Sequence, residues 1–329
     1  MNFATNDAQT TLISLLKDRI PPQQSLVDVI SDLLNISQDA AYRRLRGEKR
    51  FDIDELNVLC KTFNISLDSI FAVKSQGTIF NYTTLDIRDQ GKYLEYMQRL
   101  SKSVEMVKQG KEKEIIFSAT DVPVFHFMPF KELTIFKLFA WNNTAYNHKE
   151  KFETFLNNID QLNFFPCYDT IFSDYTAIPS TEIWTINTID PIIRLLDFYY
   201  DIGSFEKEDT FKLLCTQLEH MIGNIKQWVE QGYKDKGRQN TFKFYISETD
   251  LENSFGLFKR DNSTTCVIKL FTINSLSTNH EPFCQEARSW MESTISRAVL
   301  LTGASERERF KFFNSLQQKV NGLISKLNY

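Results

Sequence analysis

Glycine and proline are scarce in this 329-residue chain, at 11 and 8 residues. That excludes collagen-like and low-complexity architectures. The five cysteines (Cys60, Cys167, Cys215, Cys266 and Cys284) are scattered, odd in number and without a C-x-x-C pair. A disulfide framework is not expected, and most should be buried thiols. No apolar run approaches the roughly 20 residues of a membrane span, and even residues 134–141 carry a lysine. The opening Met1-Asn2-Phe3-Ala4-Thr5-Asn6-Asp7 lacks a basic region followed by an apolar stretch, so no secretory signal is expected. A cytoplasmic protein with no membrane partner is the expectation. A general positive charge is missing too: the net charge is −4, so any nucleic-acid affinity must come from a local patch.

Catalytic signatures are absent. There is no phosphate-binding glycine loop, no H-E-x-x-H and no nucleophile elbow. The four histidines, His126, His148, His220 and His280, lie far apart, and none stands at metal-ligand spacing from another His or Cys. No enzyme, cofactor or metal is expected. Asp121 and His126, five residues apart, read as a loop hydrogen bond or the lining of a pocket. Cys284 follows His280 at a helix start, where a thiolate is favoured, but a buried structural thiol is the simpler expectation. The dense aromatics (Phe125 to Phe130, Phe164-Phe165 and Phe198-Tyr199-Tyr200) read mainly as core, with an apolar pocket or a dimer surface as alternatives.

What is present falls into two textures. Residues 1–75 predict five short helices. The first carries Leu12, Leu15, Leu16 and Ile20 and stops at Pro21-Pro22. The second carries Leu26, Val29, Ile30, Leu33 and Leu34 at helical spacing. The third runs over residues 38–46 and ends at Gly47. The fourth starts near Asp52 and buries Leu56, Leu59, Cys60 and Phe63. The fifth follows Ser66 as N-cap. Ser75-Gln76-Gly77-Thr78 marks a boundary. Residues 80–329 predict helices at 93–109, 131–143, 191–200, 206–230, 281–301 and 305–327. Strands are predicted at 114–118, 241–247, 255–259 and 266–273, with Asp261-Asn262-Ser263 as a hairpin turn. The expected fold is an all-α five-helix domain followed by an α+β domain holding a small, largely antiparallel sheet.

Residues 26–45 read helix, three-residue turn, helix, the arrangement whose second helix enters the DNA major groove. Around that helix, Ala41 and Leu45 share the inward face, and Gln38, Asp39, Tyr42, Arg43 and Arg46 the outward one. Gln pairs bidentately with adenine and Arg with guanine. Asp39 either accepts from cytosine or holds Arg43 four residues on. Ser37 is the expected N-cap, and Arg44, Lys49 and Arg50 are expected to position phosphates. Five basic residues against two acidic ones between Ser37 and Arg50 make a narrow basic stripe.

The stretch Leu34-Asn35-Ile36-Ser37-Gln38-Asp39-Ala40-Ala41-Tyr42-Arg43-Arg44-Leu45-Arg46-Gly47-Glu48-Lys49-Arg50 resembles the turn, recognition helix and following loop of lambda-repressor-like regulators of the xenobiotic-response-element type. The resemblance covers about a quarter of the chain and implies base readers at Gln38, Asp39 and Arg43, with Ser37 near the backbone. Two positions depart from the family: Asn35 stands for its turn glycine, and Arg44 for an apolar residue. The second departure suggests a slightly rotated helix with Leu45 in the core. The remainder, with Phe117-Ser118-Ala119-x-Asp121-x-Pro123 and Ser305-Glu306-Arg307-Glu308-Arg309, resembles C-terminal halves of uncharacterised bacterial regulators and implies no ligand. The expected function is a sequence-specific bacterial transcription regulator that binds double-stranded DNA as a homodimer, with residues 80–329 for oligomerisation and sensing of an unnamed small-molecule or protein effector. Alternatives are a protein-interaction or antitoxin-like adaptor using the helical domain, and an unrecognised enzyme in the larger domain.

Overall fold

The computed structural model describes residues 8–21, 24–71, 77–146, 150–235, 237, 241–271, 273–303 and 305–328. Pro22, Ser75-Gln76 and His148 lie outside the described residues. The chain divides into two compact units, Met1–Ile79 and Phe80–Tyr329.

The first unit holds α1 (Ala8–Arg19), α2 (Leu26–Leu34), α3 (Gln38–Leu45), α4 (Ile53–Phe63) and α5 (Leu67–Phe71). Side-chain oxygens start three of them, each accepting from an orphan backbone N–H. Ser25 Oγ takes the Asp28 N–H and Ser37 Oγ the Ala40 N–H. Asp52 and Glu55 form a reciprocal capping box on α4. Asn35 and Asn64 end α2 and α4 in the left-handed region, both at φ 51, a conformation Asn tolerates better than most residues. Leu12, Leu16, Val27, Ile30, Ala41, Phe51, Leu59, Cys60, Ile65 and Ile70 form the core. Val27, outside the stripe expected for α2, is buried beside Ile30.

The second unit runs β1 (Asn81–Tyr82), α6 (Gln90–Gln109), β2 (Lys113–Ser118), α7 (Lys131–Tyr146), α8 (Phe152–Asn158), α9 (Gln161–Thr176), β3 (Ser180–Trp184), α10 (Asp190–Asp201) and α11 (Glu208–Gln231). It continues with β4 (Phe242–Ile246), β5 (Phe255–Arg260), β6 (Ser263–Leu270), β7 (Asn274–Thr278), α12 (Glu281–Ile295), β8 (Val299–Leu300) and α13 (Glu306–Ser325). The sheet has eight strands in the order β1-β7-β6-β5-β2-β3-β4-β8. The sheet is larger than the small one expected, and although five of its seven pairings are antiparallel, its centre is not: β2 pairs β3, and β3 pairs β4, in parallel. Parallel neighbours need long crossovers; α7 to α9 supply the first and α10 with α11 the second. β5, β6 and β7 form an antiparallel meander. Its first turn holds Asp261 at φ 52, whose Oδ1 accepts the Lys111 and Glu112 N–H groups.

Alternate residues of the central strands face opposite ways. Ile115 and Trp184 join a large aromatic core with α6 to α11 and α13. Ile116 and Ile183 pack with Cys266, Cys284 and Met291 under α12. Gly256 lets the Phe117 and Phe258 rings close over β5: a Cβ there would meet Phe117 Cε1 at 2.7 Å. The helix expected over 281–301 stops at Ile295, and Val299–Leu300 instead pairs with β4.

β3 is buried at every residue, and Glu182 on it is 0% exposed. Its carboxylate accepts from His126 Nε2 at 2.8 Å, Tyr175 Oη at 2.5 Å and Trp184 Nε1 at 2.8 Å. The buried Lys234 Nζ donates to the Tyr175 carbonyl at 2.8 Å and lies 3.4 Å from that ring's centre. Burial works to raise the Glu182 pKa, but His126, Tyr175 and Lys234 together hold it below its ordinary value. The stability this depression contributes is complete above the ordinary carboxylate pKa of about 4.3 and lost as pH falls through the folded value. Glu182→Gln should cost about 3–5 kcal/mol at pH 7, since an amide cannot accept from His126, Tyr175 and Trp184 together and leaves buried donors stranded. It should also flatten the acid limb of a thermal-unfolding profile taken across pH 3–7; coincident parent and variant profiles would contradict this role.

Candidate nucleic-acid interface

α3 is eight residues long, about 12 Å of helix, a length suited to a major groove about 12 Å wide. Its inward face is Ala41, 0% exposed, and Arg44, 3% exposed. Its outward face presents Gln38, Asp39, Tyr42 and Arg43, and Arg46 follows at its C-cap; all five are exposed, as are Ser37, Lys49 and Arg50. The structure thus gathers eight of the nine sequence-derived positions on one exposed surface.

Arg44 is the exception, and the expectation that it positions a phosphate is corrected. Its guanidinium turns into the domain and grips Glu55 of α4 with two bonds, Nε to Oε2 at 2.9 Å and Nη2 to Oε1 at 2.5 Å. Nη1 donates to the Ala40 carbonyl at 3.0 Å. The bond to Glu55 raises the Arg44 pKa, against the opposing effect of burial. Leu45, expected in the core, is only half-buried. The aliphatic stem of Arg44 fills the apolar position and its head is neutralised below, so the helix turns Arg44 rather than Leu45 inward. With Arg44 removed, the exposed stripe has four cations (Arg43, Arg46, Lys49 and Arg50) against Asp39 and Glu48.

The loop after α3 is tightly built. Gly47 sits at φ 78 with open space around it, a conformation that favours glycine. The Arg43 carbonyl accepts both the Glu48 and Lys49 N–H groups, at 2.9 and 3.1 Å. From α1, the buried Gln9 donates to the carbonyls of Arg44 (2.7 Å) and Lys49 (2.9 Å) and accepts from Phe51 N–H. Sequence reasoning missed this clamp, which joins residues some forty positions apart and has no local signal.

Within the surface the readers are partly pre-set. Gln38 Nε2 donates one hydrogen to Asp28 Oδ1 of α2 at 2.8 Å, which holds the amide in place. Its second Nε2 hydrogen and Oε1 are the pair that bidentate readout of adenine uses. Glu48 stands between Arg43 (3.9 Å) and Arg46 (3.7 Å). Exposed pairs at such distances are weak, and phosphate or base edges displace them at small cost. The Arg46 guanidinium lies 5.8 Å from the centre of the Tyr42 ring.

In the second unit, Asp121 and His126 do not pair with each other: His126 meets Glu182, and Asp121 meets Lys137 and Lys269. Cys284 is buried, its thiol donates to the Thr264 and Thr278 carbonyls, and burial raises its pKa. The thiolate expected as an alternative at that helix start is therefore disfavoured. Among the described residues, no group of three or more His, Cys, Asp or Glu side chains is placed to hold a metal ion, and no helix is long and apolar enough to cross a membrane.

The inward arginine separates two kinds of variant. Arg44→Ala should destabilise the first unit by about 2 kcal/mol, between the values for exposed and buried ion pairs, because Glu55 retains some solvent. Arg43→Ala, at a side chain 58% exposed, should leave the chemical-denaturation midpoint unchanged. Equal midpoints for both variants would contradict the burial.

Residues 9–108 match the family model of the BetR domain, a helix-turn-helix-like DNA-binding domain of transcription regulators. The matched segment takes in α1 to α5 and continues through β1 into α6. No curated protein and no solved structure matches the chain. The match supports a DNA-binding regulatory role.

Proposed function

We propose that the protein is a sequence-specific transcription regulator of the lambda-repressor-like kind, which lays α3 in the major groove and acts as a homodimer. The carrying observation is the division of α3's four polar and charged side chains other than Asp39: Arg44 is locked inward, and Gln38, Tyr42 and Arg43 remain outward with Arg46 at the C-cap and Lys49 and Arg50 in the following loop. In this reading Gln38, Asp39 and Arg43 meet base edges, Tyr42 and Arg46 flank them, and Lys49, Arg50 and the Ser37-capped helix end hold phosphates.

Four exposed cations give modest, salt-sensitive affinity per copy. Two copies with recognition helices about 34 Å apart read a palindrome and gain by avidity. The second unit serves oligomerisation and effector sensing, without catalysis. Leu162, Phe198, Ile202 and Phe310, all more than half exposed, supply apolar surface suited to a protein contact.

The test begins with genome-wide binding of the tagged protein to obtain a site, followed by titration of that duplex. Arg43→Ala should weaken binding to the native site by about 1–3 kcal/mol and relax preference at one base pair per half-site. Lys49→Ala should weaken all duplexes alike and lower the slope of log affinity against log salt by about 1. Absence of salt-dependent duplex binding would overturn the proposal in favour of a protein-binding adaptor.

A further inference from the structure

At the carboxyl end of β2 the second unit opens a cleft of about 440 Å³, a size typical of small-molecule sites. Sheets with parallel strands commonly bind ligands beyond such strand ends. Thr120 and Asp121 leave β2 into this cleft, Arg194 reaches it from α10, Ser254 precedes β5, and Lys269 and Phe271 come from the end of β6.

The charges there do not balance. Asp121 Oδ2 accepts from Lys137 Nζ at 2.9 Å and also from Lys269 Nζ. Asp121 Oδ1 is buried with no hydrogen-bond partner among the described residues. One carboxylate thus faces two ammonium groups. Lys137 is 6% exposed, its head 4.2 Å from the centre of the Phe127 ring. Burial, aided by repulsion from Lys269 and opposed by Asp121, pushes its pKa down to about 8.

Lys269 differs from Lys137 in lining the cleft, with 27% of its side chain exposed. An ammonium has three donors, and Asp121 takes one. Arg194 is 76% exposed, with Asp190 at 3.7 Å. The other carboxylate lining the cleft, Glu252, is exposed and therefore well screened. The Thr120 and Ser254 hydroxyls, bonded to each other at 2.8 Å, add polar lining, and Phe271 adds an apolar one.

We propose that this cleft binds a small oxyanion, a carboxylate or a phosphate, between Lys269 and Arg194. The anion neutralises the surplus cation beside Asp121, and the apolar wall takes whatever carbon skeleton it carries. This assigns a ligand chemistry to the sensing role of the second unit. The binding is measured without DNA, so its failure leaves the DNA-binding reading standing, and the reverse also holds.

The experiment is calorimetric titration of the full chain in low-salt buffer with two probes, succinate and inorganic phosphate. Saturable binding of at least one is expected, and the preferred probe distinguishes the carboxylate from the phosphate source. Arg194→Gln and Lys269→Gln should each weaken it about tenfold or more, the worth of a charge-assisted hydrogen bond. Lys212→Gln, at an exposed lysine of α11, should not. Lys269→Gln leaves a balanced Asp121–Lys137 pair and should fold, as circular dichroism will show; if it does not, the solvent-facing Arg194→Gln decides. No saturable binding of either probe, or binding that Arg194→Gln leaves intact, would overturn the proposal.

Discussion

The two-bond grip of Arg44 on Glu55 sets which side of α3 faces outward. A helix of eight residues has little surface to define its own rotation, and Ala41 alone is a small anchor. Placing a guanidinium inward, against a carboxylate that also closes the capping box of α4, ties the rotation of one helix to the start of another. Gln9 adds a third tie by holding the carbonyls on either side of Gly47. Buried ion pairs are weak contributors to net stability and better understood as determinants of geometry. Here the geometry is the orientation of Gln38, Tyr42, Arg43 and Arg46 toward solvent.

The second unit repeats the theme of buried carboxylates with two different outcomes. Glu182 is surrounded: an imidazole, a phenol and an indole donate to it, and a buried lysine stands nearby. The cluster holds a polar strand, buried at every residue, between two layers. Asp121 is out of balance, one oxygen shared by two lysines and the other without a partner among the described residues, at the edge of the cleft. Buried polar groups that lack partners are costly, and the second ammonium beside Asp121 is the charge that the proposed oxyanion offsets.

The helical unit was largely legible because its signals are local: apolar periodicity, cap residues at Ser25, Ser37 and Asp52, and a glycine after α3. The exposed face of α3 followed from its angular arithmetic. Arg44 was misread because nothing within α3 reveals a carboxylate eleven residues away. β3 has no such local signal, because Ser180, Thr181 and Glu182 are polar and only distant partners bury them. α9 was hidden by Pro166 in its interior, a residue that ordinarily breaks helices. Strand order was not legible either, since long helical crossovers, rather than any strand's own sequence, put β2, β3 and β4 side by side in parallel.

Methylation protection on the native binding site tests the central claim most directly, because guanine N7 is exposed only in the major groove. With α3 seated there, the bound protein should shield guanines in two patches about 10 base pairs apart and leave adenine N3, in the minor groove, reactive. Tight binding with every guanine N7 still reactive would show that the outward face of α3 does not enter the groove.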